Sequence, residues 1–548
     1  MADIEHLTRR WKALQTKRQL LEQQWRECYD YTYPLRGAGF TLPAGNTGGG
    51  MSVESSYATY GRAQNARLFD DTATDSVRIL ASGLMSGLTP PNSRWFALEG
   101  EGAEDESPQD DEEDKWLDEA ADHLWSYIHD GNFDRVAYEC MVDVVIAGWC
   151  GMYVTEAEDG GLHMEQWPLH TLWCAASKSG GPVDVVFRRV SMTAEQAMSE
   201  YEGRCSESTR QKAEVSPDDR IDIVQAIYPR AGGSTGQLAR NMAFESCHFE
   251  IANRHVLRES GYPEFPVIVP RWMLIPDSHY PMGPVYDAMP SIKSVNKIKE
   301  MDFASMDLAI AGMWIAEDDG VLNPRTVKVG PRKIIVANSV DSMKPLVSGA
   351  NFQVATMKAQ ELQLTIRKIL MADQLEPTEK GQMTATEVQV RVELIRQLLG
   401  PIYGRLQAEY LQPLVQRCFG LALRAGALGQ PPESLAGRNL QVRYTSPMAR
   451  SQKLVDVAAM DRYESTLAQE AAAGHPEVMD NYDWDGAARE RAELLGVPAG
   501  LMVKTDERDQ TRQVRMQQQQ AQNAQAFAQE ALLKAAPKMV PQAQGVPA

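Results

Sequence analysis

The chain lacks the features that mark secreted proteins and membrane proteins. It contains only seven cysteines, an odd number with no C-x-x-C pair, so the sequence predicts neither a disulfide framework nor a zinc site. Such cysteine usage is typical of a reducing compartment. The start, Met1 to His6, does not have the pattern of a signal peptide, and the best apolar run, Met141 to Val154, is too short to cross a membrane and carries Asp143. We therefore expect a soluble protein that is made in the cytoplasm and has no membrane partner.

Positive charge is also scarce. The 548 residues include 55 Lys and Arg against 74 Asp and Glu, which gives a formal net charge of −19. A protein that draws most of its affinity from DNA phosphates is usually basic. We therefore expect this chain to bind nucleic acid weakly and only through local patches, although a need for solubility explains the acidity equally well.

Sequence templates for nucleotide-binding and metal-dependent enzymes are missing. No Gly-Lys dipeptide occurs, so the chain has no G-x-x-x-x-G-K-[ST] phosphate loop, and no H-E-x-x-H zinc motif is present. Histidines such as His248 and His255 lack a matched cysteine or carboxylate spacing, which favours structural roles for them. The sequence therefore predicts no metal, no cofactor and no catalytic residue of these kinds.

One stretch does match an enzyme pattern, because Gly-Gly-Ser-Thr-Gly at residues 232–236 satisfies G-x-S-x-G. A nucleophile elbow at Ser234 would need a buried strand before it and a helix directly after it. Here the polar Tyr228-Pro229-Arg230 comes before, and another β-like segment follows. The pattern is more typical of a hairpin loop, and a serine hydrolase that uses Ser234 is kept as an alternative function.

Periodicity places helices on both sides of a region of short strands. The acidic residues 99–114 are typical of a solvated loop or a helix start, and the glycine-rich residues 36–52 of a loose loop. Short β-like segments separated by glycine and proline fill residues 150–275, so we predict an α+β chain. Helices are predicted at residues 4–33, 65–88, 115–129, 133–148, 285–310, 352–371 and 384–425, the last with a kink at Gly400-Pro401.

The remaining segments are shorter or more polar. A β-like unit at residues 313–350 separates two of the predicted helices, and a polar loop at residues 372–382 follows the second of them. From about Thr505 the chain is rich in Gln and Ala. This composition predicts either a polar helix that packs against neighbours or a disordered tail.

Five motifs occur in order along most of the chain. The first is an aromatic helix that ends in proline, Trp25–Pro34, and the second and most specific, Leu68–Phe96, closes with Trp95-Phe96. The third is Tyr280–Pro284, and the last two are Met383–Val388, which contains Thr384, Ala385, Thr386 and Glu387, and Ser446–Gln452. In this order the motifs resemble the portal, or head-to-tail connector, family of T7-like short-tailed bacteriophages. The third motif departs from the family pattern, which more often has Tyr-Gly-Arg at this place.

The resemblance implies a portal fold that assembles into a ring of twelve copies. Portal subunits have a wing, a stem of two helices, a clip between those helices, and a helical crown. For this chain, the resemblance places the wing at residues 1–283 with the β-rich insertion at about 150–275, the stem helices at 284–312 and 352–371, the clip at 313–351, the channel loop at 372–383, the long wing helix and crown at 384–500, and a helical barrel or tail at 501–548.

The resemblance also implies a structural function without catalysis. A portal ring lies at one capsid vertex of the virion, is assembled in the host cytoplasm, and is the conduit for packaging and ejection of double-stranded DNA. The implied partners are other copies of the chain, the capsid protein, the packaging terminase and a tail adaptor. An internal or scaffold-type virion protein is a further alternative.

Two short segments are the candidate contacts of such a ring with DNA or with an adaptor. DNA has to slide through the ring, so its contacts with the wall should be few and weak. The channel loop contributes the candidates Glu376, Glu379, Lys380 and Gln382, of which Lys380 can contact a phosphate transiently. The clip contributes a basic cluster of Arg325, Lys328, Arg332 and Lys333. A solvated loop explains either segment equally well.

Overall fold

The computed structural model of the chain forms two compact units. The first unit consists of segments within residues 1–95, 124–427 and 446–448, and the second of segments within residues 96–123, 428–445 and 449–548. The structure describes residues 3–41, 53–92, 94–100, 110–157, 160–178, 180–232, 236, 238–311, 314–316, 343–345, 352–375, 400, 402–432, 440–444, 447–495, 497, 503 and 508–522.

The described helices include several long ones. Helix α1 (Ile4–Asp30) begins after Asp3, whose side chain accepts a hydrogen bond from the backbone N–H of His6 at 3.1 Å. Residues 402–406 and 508–522 are helical, and Gln407–Leu411 form a π-helix. The further helices are α2 (Pro34–Thr41), α3 (Val53–Asn65), α4 (Thr72–Leu88), α5 (Asp110–His129), α6 (Phe133–Ala147), α7 (Ala194–Glu200), α8 (Glu207–Val215), α9 (Pro284–Ala311), α10 (Phe352–Ile369), α11 (Ala372–Leu375), α12 (Gln412–Arg424), α13 (Pro447–Ala472) and α14 (Trp484–Leu495).

Most of the described strands lie in the middle of the chain, where the sequence predicts them. The described strands are β1 (Phe96–Gly100), β2 (Met152–Glu156), β3 (Leu162–Gln166), β4 (Leu172–Ala175), β5 (Val185–Thr193), β6 (Arg220–Pro229), β7 (Phe244–Glu250), β8 (Val256–Tyr262), β9 (Val267–Ile268), β10 (Met273–Leu274), β11 (Pro281–Met282), β12 (Trp314–Ala316), β13 (Met343–Pro345) and β14 (Leu440–Tyr444). Strands β4 to β8 form an antiparallel five-stranded sheet in chain order. A second sheet has the order β3-β2-β9, and the pairs β1-β14, β10-β11 and β12-β13 are two-stranded.

Helix α1 covers one face of the five-stranded sheet. Leu7, Trp11 and Leu14 lie one to two turns apart on α1 and belong to the same buried cluster as sheet residues such as Phe187. The rings of Trp11 and Trp173 meet edge to face with centroids 5.5 Å apart. Residues of α7 help to cover the other side, in a second buried cluster that includes sheet residues. The antiparallel sheet is therefore packed between helical segments, and the chain combines helices and sheets as predicted.

Helix α6 is the most deeply buried long helix of the described chain. It packs against α1, α4, α9 and β3, and its residues from Cys140 to Ala147 are all buried. It ends at Gly148, whose φ of 90° is the left-handed conformation common after a helix. The apolar run that the sequence shows here is therefore a core helix of the first unit.

The second unit is built from a two-stranded sheet and helices. Strands β1 and β14 pair along their whole length, from Phe96 with Tyr444 to Gly100 with Leu440. In the helical part, Arg491 forms ion pairs with Asp461 at 3.2 Å and with Glu464. These contacts join α13 to α14.

Several helix predictions are confirmed, whereas the predicted loop at 36–52 and the predicted start of the helix at 65–88 are wrong. The helices predicted at 115–129, 133–148, 285–310 and 352–371 occur close to those bounds. Within the predicted loop 36–52, however, residues up to Thr41 are helix α2, because its glycines permit close packing. A Cβ at Gly37 would overlap Tyr29, and one at Gly39 would overlap the ring of His170. The helix predicted at 65–88 begins only at Thr72, and α3 lies before it.

Two other differences concern elements that the sequence did not signal clearly. Helices α7 and α8 interrupt a region in which only strands were predicted, and α7 begins with a capping box formed by Thr193 and Gln196. The predicted polar loop 372–382 starts as helix α11, and its remainder lies outside the described residues. Within the Gln/Ala-rich tail, residues 508–522 are helical, in agreement with the polar helix that the sequence predicts there.

Candidate functional site

The helix pair α9 and α10 is the candidate functional site of the first unit. The two helices pack against each other. Helix α9 is buried near its start and mostly exposed from Met301 to Asp307, whereas α10 is exposed around Val354 and buried at Ile366. The two helices therefore run in opposite directions and project away from a buried base.

Three of the five sequence motifs meet at this base. Trp25, from the first motif, packs against Tyr280 of the third, with ring centroids 5.4 Å apart, and equally close to Trp149. Two residues beyond Trp25, the Glu27 carboxylate pairs with Lys293 of α9 at 2.5 Å. The motifs thus mark residues that hold the helix pair in place.

The Leu68–Phe96 motif ties both helices to the turn before α4. Asn296 of α9 accepts a hydrogen bond from the Phe69 backbone N–H at 2.7 Å and donates one to the Arg67 carbonyl at 2.9 Å. Gln363 of α10 donates to the Asp70 carboxylate at 2.5 Å. Because one short turn bonds to both helices, it fixes their relative position.

Beyond the base, the helix pair exposes large apolar side chains. A typical exposed side chain on a soluble helix is polar, so such residues indicate a surface that a partner covers. Phe303 is 51% exposed although it touches Phe69, and Met357 is 70% exposed. The exposed apolar residues are Met301, Phe303 and Met306 on α9, and Val354, Met357 and Leu364 on α10.

Trp95 and Phe96, at the end of the second motif, are both fully buried. The Trp95 indole N–H donates to Nε2 of His129 at 3.3 Å, and Nδ1 of His129 lies 2.9 Å from the Asp134 carboxylate. Burial lowers the pKa of His129 although Asp134 opposes this shift. A neutral His129 that accepts from Trp95 and donates to Asp134 satisfies all three groups.

A buried polar cluster around Asp143 was not found from the sequence. Its carboxylate is 3% exposed and accepts hydrogen bonds from the Tyr29 hydroxyl at 2.7 Å, from Arg36 Nε at 2.6 Å and from Gln166. Burial, and next the negative charge of Asp143, raise the pKa of Tyr29 well above its ordinary value. The cluster joins α1, α2, α6 and β3, and the only sequence signal for it was a carboxylate inside an apolar run.

Most of the predicted site residues lie outside the part of the chain that the structure describes. This holds for Glu376, Glu379, Lys380 and Gln382 of the channel loop, for Arg325, Lys328, Arg332 and Lys333 of the clip, and for Thr384, Ala385, Thr386 and Glu387 of the fourth motif. The roles predicted for them stay predictions.

Ser234 also lies outside the described residues, but its neighbours show how the chain runs around it. Strands β6 and β7 on either side are antiparallel neighbours in one sheet. Gly232 has a φ of 98°, which suits a turn. The connection therefore joins strand to strand, whereas a nucleophile elbow joins a strand to a helix.

Within the described ranges, no three His, Cys, Asp or Glu side chains are grouped so that they can hold a metal ion. None of the helices that the structure describes is both long and apolar enough to cross a membrane. All seven cysteines are free and buried.

Comparison with known proteins agrees with the motifs at the base of the helix pair. The sequence profile of a family described as "Bacteriophage head to tail connecting protein" matches residues 5–503. The chain belongs to this family. The resemblance inferred from the five motifs is thereby confirmed.

Two relatives of this head-to-tail connecting protein match nearly its whole length. A "Probable portal protein" of Bordetella phage BPP-1 is 26% identical over 539 residues, which are 94% of this chain and 91% of the relative. A "Portal protein" of Salmonella phage epsilon15 is 26% identical over 547 residues, which are 96% of this chain and 94% of the relative.

Proposed function

We propose that the chain is a portal subunit that forms a homo-oligomeric ring, of twelve copies by family resemblance, at one capsid vertex of a bacteriophage. The observation that carries this proposal is the match to the head-to-tail connecting family over residues 5–503, together with two relatives named as portal proteins. In this function the ring is a conduit for genome packaging and ejection and catalyses no reaction.

The exposed apolar side chains of α9 and α10 support assembly with other copies. A closed ring needs two different surfaces on each subunit, one for each neighbour. Each helix of the pair carries exposed apolar residues, Met301 and Met306 on α9 and Met357 and Leu364 on α10. One helix can therefore contact one neighbour while the other helix contacts the second.

The subdivision of a portal subunit follows from the same proposal. The stem would consist of residues 284–312 and 352–371, which contain α9 and α10, and the clip of residues 313–351, where β12 and β13 pair as antiparallel strands. The wing would comprise residues 1–283 with the sheets, the channel loop 372–383, the wing helix and crown 384–500, and the barrel or tail 501–548.

The charges on the helix pair are compatible with DNA that slides. Lys297 pairs with Glu300 at 2.8 Å and Lys358 pairs with Glu361 at 2.9 Å. Each pair reduces the net attraction of a lysine for phosphate. We propose that Lys380 of the channel loop makes the transient DNA contacts, and that the basic cluster of the clip faces DNA or the tail adaptor.

The remaining partners and the location follow from the portal role. We propose that the ring binds the capsid protein at its vertex, the packaging terminase during filling, and a tail adaptor afterwards. It would be assembled in the host cytoplasm and end in the virion at the junction of head and tail.

The proposal is tested by imaging the purified protein and one pair of α10 variants. The wild type should form rings with a central hole wide enough for a DNA duplex. Met357→Glu places a charge where we expect an apolar contact, which should weaken each interface by about 2 kcal/mol and shift rings towards monomers.

Gln360→Glu is the matched control, since it adds the same charge at an exposed position of the same helix. It should leave the ring fraction, measured by mass photometry or negative-stain microscopy, near that of the wild type. Wild-type monomers or filaments at every concentration would contradict the ring, and intact rings of Met357→Glu would exclude α10 as the interface.

A further inference from the structure

The helix that ends at Arg424 changes its hydrogen-bond pattern in the middle. Residues 402–406 are α-helical, Gln407–Leu411 are π-helical, and α12 continues the helix. The backbone N–H of Gln412 bonds to the carbonyl of Gln407, five residues back. Pro413 explains the change, because proline has no N–H and its ring would clash with the carbonyl of residue 409 in a regular α-helix.

The downstream half of this helix is firmly held. Arg271 donates two hydrogen bonds, of 2.9 and 2.6 Å, to the Glu409 carboxylate, and both side chains are largely buried. Arg417 of α12 donates to the Val154 carbonyl at 3.3 Å and to Glu264 at 2.8 Å. Movement in this helix is therefore confined to the residues before Glu409.

The upstream half is loosely packed against α4. Ile402, Tyr403 and Leu406 line a small apolar cavity of about 20 Å³, opposite Gly83 and Gly87 of α4. A Cβ added at Gly87 or at the exposed Gly404 would meet no atom within 4 Å. This side of the helix thus has room that the downstream half lacks.

The π-helix also leaves polar groups poorly satisfied. Tyr410 and Thr89 are buried, and neither hydroxyl makes a hydrogen bond of ordinary geometry. A buried hydroxyl without a partner opposes the arrangement that contains it.

We propose that residues 407–411 are a register hinge, which alternates between the π-helix and a regular α-helix. With Glu409 held by Arg271 and α12 held by Glu264, conversion turns the residues upstream of Glu409 by about 100° and shifts them by about 1.5 Å along the axis. Tyr403 then takes the position of Ile402, and Gly404 takes the position of Tyr403 beside the cavity.

The π register is the major one because conversion exchanges Leu406 for Gln407 at a buried position. Leu406 is 1% exposed, so this exchange places a polar amide among apolar side chains. The regular α-helix is therefore the minor register, in which the residues upstream of Glu409 present a different face to α4. Such register shifts in helices occur within microseconds to milliseconds.

Disulfide trapping on the full-length subunit distinguishes the registers. The pair Gly87→Cys with Gly404→Cys should cross-link under a mild oxidant only in the α register, whereas Gly87→Cys with Ile402→Cys reports the π register. Pro413→Ala restores an N–H that can bond to residue 409. It should raise the rate of the 87–404 cross-link about tenfold, equivalent to about 1.4 kcal/mol, and lower that of the 87–402 pair.

Glu409→Gln is a second variant, which weakens the hydrogen bonds from Arg271. Like Pro413→Ala, it should raise the rate of the 87–404 cross-link and lower that of the 87–402 cross-link. Interference from the native thiols is small because all of them are buried, and burial raises the pKa of Cys418 to about 12. The hinge proposal fails if both variants fold but form the 87–404 cross-link no faster than the protein that keeps Pro413 and Glu409. The measurement needs no ring, so its failure would leave the portal assignment untouched.

Discussion

Replacing Asp143 with alanine should destabilise the first unit more than any other single change at a polar group described above. The Asp143 carboxylate is 3% exposed and bonds to Tyr29 at 2.7 Å and to Arg36 at 2.6 Å. Loss of one partner of a buried ion pair typically costs 3–5 kcal/mol. Arg36 is 29% exposed, and water can solvate part of its charge, so we expect a loss of about 3 kcal/mol in the free energy of unfolding.

The measurement is urea unfolding at neutral pH, followed by circular dichroism so that the transition of the first unit is resolved. Asp218→Asn is a suitable control, because Asp218 lies exposed in a turn, and it should change stability by no more than about 0.5 kcal/mol. Tyr29→Phe removes one hydrogen bond to the carboxylate and should cost about 1 kcal/mol.

A further variant separates the loss of the pair from the loss of its members. Asp143→Leu combined with Arg36→Met removes both charges, so no charge is left buried, and it should recover part of the stability lost in Asp143→Ala. If Asp143→Ala is no less stable than Asp218→Asn, the cluster does not hold the four elements together and the reasoning fails.

Three more predictions concern pH, backbone packing and the channel loop. Burial lowers the pKa of His248 to about 4, so near pH 6.5 the unfolded chain takes up a proton that the folded protein does not. The free energy of unfolding should therefore fall by up to about 3 kcal/mol between pH 6.5 and 4. In urea titrations, His248→Gln should reduce this dependence of stability on pH. Gly283→Ala places a Cβ 2.7 Å from the Gly148 nitrogen and should cost about 2 kcal/mol by thermal unfolding, with Gly404→Ala nearly neutral. Deletion of residues 376–382 should preserve rings in micrographs but impair DNA retention in packaging assays; absent rings would make the loop an assembly element.

The α+β class and the long helices could be predicted because their apolar periodicity is strong. Helix α9 was expected at 285–310 and runs Pro284–Ala311. Glycine misled the prediction where it serves packing, as at Gly37 against Tyr29, since sequence alone does not tell a loop glycine from a close-contact glycine. The kink predicted at Gly400-Pro401 stays a prediction, because Pro401 lies outside the described residues. Pro413, the residue that explains the π-helix, was overlooked as a signal.

The sequence indicated the helices and motifs of the candidate site but not the contacts between them. The motifs around Trp25 and Phe69 indicated the correct family, but only the fold shows that they meet at the base of α9 and α10. Contacts such as Arg271 with Glu409 join residues far apart in the chain, and charge alone gives no means of choosing such partners among 129 ionisable Lys, Arg, Asp and Glu residues.

The pairing of β1 with β14 has a consequence for how the protein is made. Strand β1 ends at Gly100, and its partner begins only at Leu440. At about 5–20 residues per second, a ribosome needs roughly 17 to 70 s to synthesise the roughly 340 residues between them. During that time β1 is a strand with open edges, which is the kind of segment that pairs wrongly with other chains. Expression at low temperature or with a chaperone that shields nascent chains should therefore raise the yield of native protein, and truncation before residue 440 should leave β1 without its partner strand.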